Sequence, residues 1–95
     1  MLIRIVKLTF EPGHIAEFEQ IFKASNTLIK NFDGCISVEL LQDIAHPNVF
    51  FTYSHWESED HLNAYRNSET FKTIWGKTKI LFSDRPEAWS VHKKV

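Results

Sequence analysis

Ninety-five residues, 43% of them hydrophobic and 24% charged, describe one globular domain spanning residues 1–95 and exclude a disordered chain. A formal net charge of −1 provides no basic field for phosphates, which argues against nucleic-acid binding, and no apolar run reaches membrane-spanning length. The single cysteine, Cys35, cannot form an intrachain disulfide and suits a reducing compartment, so a cytoplasmic location is expected.

Leu2 to Phe10 is aliphatic and β-branched and stops at Glu11-Pro12-Gly13, the pattern of a strand. Arg4 and Lys7 interrupt it and no small-residue cleavage site follows, so it reads as a strand and not as a signal peptide. From His14, apolar residues at Ile15, Phe18, Ile21, Phe22, Leu28, Ile29 and Phe32 form one stripe of a long amphipathic helix. It should end near Asn31 to Asp33, with Gly34 in the left-handed cap. Cys35–Asp43 and Val49–Trp56 predict a hairpin of two strands around a short turn. Ser58 is a natural N-cap for a second helix, with Glu59 and Asp60 in its first turn. Asn67-Ser68-Glu69 predicts a break and restart, after which Phe71, Ile74, Trp75, Thr78, Leu81 and Phe82 make another stripe. Ser83 to Pro86 ends it, and Glu87 to Val95 closes the chain as a strand.

The order is β-α-β-β-α-β, an α+β ferredoxin-like arrangement with a four-stranded antiparallel sheet and the helices on one face. A sheet covered on one side should alternate apolar with polar residues. Here Leu2, Val6, Leu8 and Phe10 oppose Ile3 and Ile5, and Phe50 and Trp56 oppose Val49, Phe51 and Tyr53. Both faces are therefore expected to be buried, the second by another copy of the chain in a two-fold dimer. An aromatic content of 14%, generous for this length, points the same way or to a ligand cavity.

Nucleophile-elbow, phosphate-loop, dinucleotide and zinc-helix motifs are missing. The five histidines, His14, His46, His55, His61 and His92, are scattered without metal-ligand spacing, so no metal site is expected. Cys35 reads as a small core residue. What remains is a pocket. Thr52, Ser54 and Trp56 share the strand face that carries Phe50, and Arg4 lies on the matching side of the first strand. If that face meets the helices, two hydroxyls, an indole N–H and a guanidinium line a space that apolar residues would ordinarily fill. A buried arginine must be paired or hold an anion; the plain alternative is that Arg4 snorkels to the sheet edge and Trp56 is core. Tyr65 and Trp75 could close the pocket.

The stretch YSHWESEDHLNAY, with PG after the first strand and FDGC after the first helix, resembles the antibiotic biosynthesis monooxygenase family. The resemblance implies a dimeric α/β barrel and oxygenation of a small aromatic or quinol-like molecule by O₂ without flavin, haem or metal. In such chemistry the ionised substrate reduces O₂ directly, and the protein supplies a dry aromatic pocket and groups that favour ionisation. Trp56 matches the pocket tryptophan of the polyketide oxygenases, but Thr52 stands where they carry an amide and Leu62 where they carry a tyrosine. Quinol-type members have helix histidines where this chain has Tyr65 and Thr70. The asparagine, tryptophan and histidine of haem-degrading members are replaced by Val6, Tyr65 and Trp75. Tyr65 and His61 are then the candidates for a catalytic proton-transfer group, and Arg4, Thr52, Trp56 and Trp75 for the substrate pocket. A non-catalytic small-molecule-binding module, or an isomerase or lyase of a hydroxy-carbonyl compound, are the alternatives.

Overall fold

A computed structural model describes all residues from Met1 to Val95. Strand β1 (Leu2–Thr9) runs through a single helical turn at Pro12–His14 into helix α1 (Ile15–Lys30). Strands β2 (Cys35–Gln42) and β3 (Val49–Trp56) form the expected hairpin. Helices α2 (Glu59–Arg66) and α3 (Glu69–Lys79) follow, and β4 (Glu87–Val91) closes the sheet. The sheet is antiparallel throughout, in the order β2-β3-β1-β4. The ferredoxin-like α+β expectation is borne out.

Local chemistry sets the joints. Ser58 and Ser68 each accept a hydrogen bond from a backbone N–H three residues on, His61 N and Phe71 N, so the break between α2 and α3 is a true second start. Gly34 has φ of 86°, which an L side chain rarely adopts, and a Cβ there would overlap the His61 side chain. Only glycine lets the chain leave α1 this close to α2.

One facing and two boundaries differ from the sequence expectation. Leu28 lies off the buried stripe of α1 and is 58% exposed, because Ser25 and Ile29 take the inward positions. Ser25 is tolerated there because its hydroxyl donates to the Ile21 carbonyl at 2.7 Å. Leu81 and Phe82 continue the α3 stripe in space but lie past the helix end, Phe82 bridging to Phe10. The last strand stops at Val91, where its pairing with Ile3 ends.

The register sorts the two faces. Toward the helices, successive rows across the sheet are Phe50–Leu8, Leu40–Thr52–Val6–Ala88, Val38–Ser54–Arg4–Ser90 and Cys35–Trp56–Leu2. On the other face the rows are Leu41–Phe51–Lys7–Glu87, Glu39–Tyr53–Ile5–Trp89 and Ser37–His55–Ile3–Val91. That second face carries no helix. Leu41, Trp89 and Val91 on it are 46%, 44% and 41% exposed in the single chain.

Candidate functional site

The helix-facing rows explain where a cavity opens. At one end Leu8, Phe10, Phe18, Phe50 and Leu81 form one buried cluster. At the other, Ile29, Val38, Trp56, Leu62 and Tyr65 form a second. The rows between them hold Thr52, Ser54, Arg4 and Ala88, side chains too short or too polar to meet the helices. The core therefore parts over the middle of the sheet, leaving a cavity of about 350 Å³ with residues of both clusters in its walls. That volume is at the lower end of the range for small-molecule sites.

Its far wall is aromatic. Tyr65 stacks on Trp56 with ring centroids 5.1 Å apart, Phe71 meets Tyr65 edge-on at 5.3 Å, and Trp75 stacks on Phe71 at 5.8 Å. The polar contribution comes from the sheet. Trp56 Nε1 donates to Ser54 Oγ at 3.0 Å, so this indole N–H is spent within the wall and does not reach into the cavity. That corrects the expectation of a free indole donor: the serine two residues away on the same strand face is its nearest acceptor. Thr52 also lines the cavity, and its hydroxyl makes no hydrogen bond inside the chain. Arg4 donates through one Nη to Ser90 Oγ at 2.9 Å. Burial, with the Arg66 guanidinium second, pulls the Arg4 pKa below its ordinary value.

Tyr65 is 8% exposed, and its phenol is pushed up to about 12 by burial first and by the neighbouring Cys35 second. At neutral pH it is a hydrogen-bond donor with no partner in the chain. The Cys35 thiol, which donates to the Ser37 carbonyl at 3.7 Å, has its pKa raised by burial, which disfavours the thiolate.

Arg4, Thr52, Trp56, Trp75 and Tyr65 are thus brought together around one space. His61 is not. It lies beyond Gly34, its Nδ1 2.7 Å from Ser58 Oγ and its Nε2 3.8 Å from Asp33 Oδ2, and it is not among the residues lining the cavity. The parity of α2 decides this: Leu62 and Tyr65 point inward, which turns His61 to the rim. Asp33, Glu57 and His61 each bring a ligand atom to within 4.8 Å of the others, a convergence of three segments that sequence spacing does not reveal. Arg66, which sequence reasoning passed over, also lines the cavity, from the last turn of α2. Its position one residue after Tyr65 was the available signal.

The fold and cavity define a small α+β domain with a largely apolar cavity between its sheet and its helices. The sequence profile of the family "Antibiotic biosynthesis monooxygenase" matches residues 1–76, and the chain belongs to that family. A crystal structure of an antibiotic biosynthesis monooxygenase superposes with a TM-score of 0.93 over 100% of both chains at 15% identity. A conserved protein from Methanosarcina mazei Go1 superposes with a TM-score of 0.91 at 24% identity, over 99% of this chain and 94% of its own. These likenesses show the fold. A Halobacterium salinarum protein named "Putative heme-binding protein" is 28% identical over 78 residues, which are 80% of this chain. The chain spans about 15% of the length of that relative.

Proposed function

We propose that the protein is a cofactor-independent monooxygenase acting on a small aromatic or quinol-like substrate held between the sheet and the helices. The observation that carries this reading is the cavity itself, a gap between two well-packed clusters, walled by Trp56, Tyr65, Phe71 and Trp75 and floored by Thr52 and Arg4. Family membership supports the reaction class. Arg4 favours the ionised form of a bound phenol or enol by its charge, and the neutral Tyr65 hydroxyl is a donor for the oxygen that carries the negative charge. The anion then reduces O₂, a carbon–oxygen bond forms at the activated carbon, and loss of water leaves a carbonyl. For a methylene carbon the balance is CH₂ + O₂ → C=O + H₂O.

A second copy covers the exposed sheet face in this reading, burying Ile3, Ile5, Phe51, Tyr53 and Trp89. Haem, suggested by the name of the Halobacterium relative, fits poorly. No histidine, cysteine or methionine lines the cavity, and Tyr65, the one residue there of a type that ligates haem iron, is held protonated.

One observation favours a second reading, a binding module without turnover: no histidine lines the cavity, and the Tyr65 phenol is held protonated. Oxygen uptake by the protein with a panel of anthrones and hydroquinones separates the two, with Thr52→Leu, which fills the cavity, as control. Uptake that the control loses is expected. Ligand-induced thermal stabilisation with no uptake above the enzyme-free rate would favour the binding module, and anaerobic turnover would point to an isomerase.

A further inference from the structure

We propose that the natural ligand of this cavity is an acid, an aromatic molecule whose carboxylate is held between Arg4 and Arg66. The proposal rests on the reading of the cavity as a binding site and names the charge class of what it holds.

Two arginines line one small, largely apolar cavity. Neither has a counter-ion. The three ionic side-chain contacts in the chain are His14–Glu17, His46–Asp43 and His61–Asp33, and none involves an arginine. Glu87, at the exposed start of β4, is the one carboxylate among the lining residues, and it lies beyond 4.0 Å from both guanidiniums. Arg4 uses one nitrogen on Ser90, leaving most of its five donors without a protein acceptor.

A cation in this row of the sheet is only partly hydrated. Arg4 sits between Ser54 and Ser90, on the side where Leu8 and Phe10 are core, and is partly desolvated with a like charge nearby. An oxyanion between the two groups removes the repulsion and satisfies the free donors, and the planar fork of arginine matches a carboxylate in two-point contact. The aromatic wall of Trp56, Tyr65, Phe71 and Trp75 then takes the ring. A neutral quinol would leave both charges unanswered.

The test compares two probes of one shape, naphthoate and naphthamide, by calorimetric titration into wild-type protein, Arg4→Gln and Arg66→Gln. The acid is expected to bind wild-type protein at least about tenfold more tightly than the amide, since charged hydrogen bonds are the stronger kind. Each substitution should cut that preference several-fold while moving amide affinity less than about twofold, and about 0.5 M salt should weaken the acid alone. Arg66 is exposed, so its variant folds even if Arg4→Gln does not. Equal affinity for acid and amide, or a preference that survives Arg66→Gln, would overturn the proposal while the apolar-cavity reading stands. Failure of both probes to bind at millimolar concentration would overturn the two together.

Discussion

Tyr65 offers a sharp quantitative check on the cavity, because its phenol reports the dielectric of the wall it belongs to. Burial pushes its pKa to about 12 against an ordinary 10.0. Two pH units correspond to about 3 kcal/mol against the phenolate in the folded chain. The sign follows from proton counting. Above pH 10 the unfolded chain releases this proton while the folded chain keeps it, so the folded state binds more protons and stability falls as pH rises. Below pH 10 both states are protonated and Tyr65 contributes no slope. Between pH 10 and 12 the loss is about 1.4 kcal/mol per unit, levelling off above 12.

The chain has two tyrosines, Tyr53 and Tyr65, so Tyr53→Phe leaves Tyr65 as the sole phenol for ultraviolet titration. Urea denaturation of that variant and of a Tyr53→Phe/Tyr65→Phe double variant from pH 9 to 12 then isolates the Tyr65 slope. A phenolate appearing near pH 10, or identical stability profiles for the two variants, would refute the desolvated wall. It would also remove the reason for casting Tyr65 as a donor. If the reasoning holds, any turnover lacks an inflection from Tyr65 near neutrality, and Tyr65→Phe lowers the rate without reshaping its pH profile.

Gly34→Ala should destabilise the fold by about 2 kcal/mol or more in thermal denaturation, since the left-handed backbone alone costs about 1–2 kcal/mol and the new Cβ collides with His61. Adding His61→Ala should recover only part of that loss, because the His61 Cβ, which the new Cβ also overlaps, remains. Trp56→Phe removes the donor to Ser54 and should cost about 1 kcal/mol or more in urea midpoint stability, the buried hydroxyl keeping only its long donation to the Arg4 carbonyl at 3.5 Å; an unchanged midpoint would count against the indole hydrogen bond. Thr52→Leu should abolish ligand-induced stabilisation while leaving the unliganded melting temperature unchanged or raised, because it fills a space between two packed clusters. Light scattering at micromolar concentration should return twice 11.2 kDa and fall to the single-chain mass on Ile5→Glu; a monomer in both would sink the second copy over the sheet.

Strand parity and capping chemistry carry most of the fold. Alternation within β1 and β3 already separates Leu8 and Phe50 from Ile5 and Tyr53, and Ser58 and Ser68 mark two helix starts because each offers an oxygen to an otherwise unpaired N–H. The same parity places Arg4, Thr52, Ser54 and Trp56 on one side before any contact is known. The pairing of β1 with both β3 and β4, however, is non-local, and it alone sets Arg4 between Ser54 and Ser90.

The fate of each polar group was also decided in three dimensions. The Trp56 N–H goes to Ser54, and the close approach at Gly34 presents His61 to Asp33 instead of the cavity. Arg66 reaches the cavity because α2 ends where the two core clusters part. Periodicity along a chain determines which face a residue occupies, since that depends on neighbours two to four positions away. Which donor meets which acceptor depends on distances between segments far apart in sequence, and only the packed structure sets those.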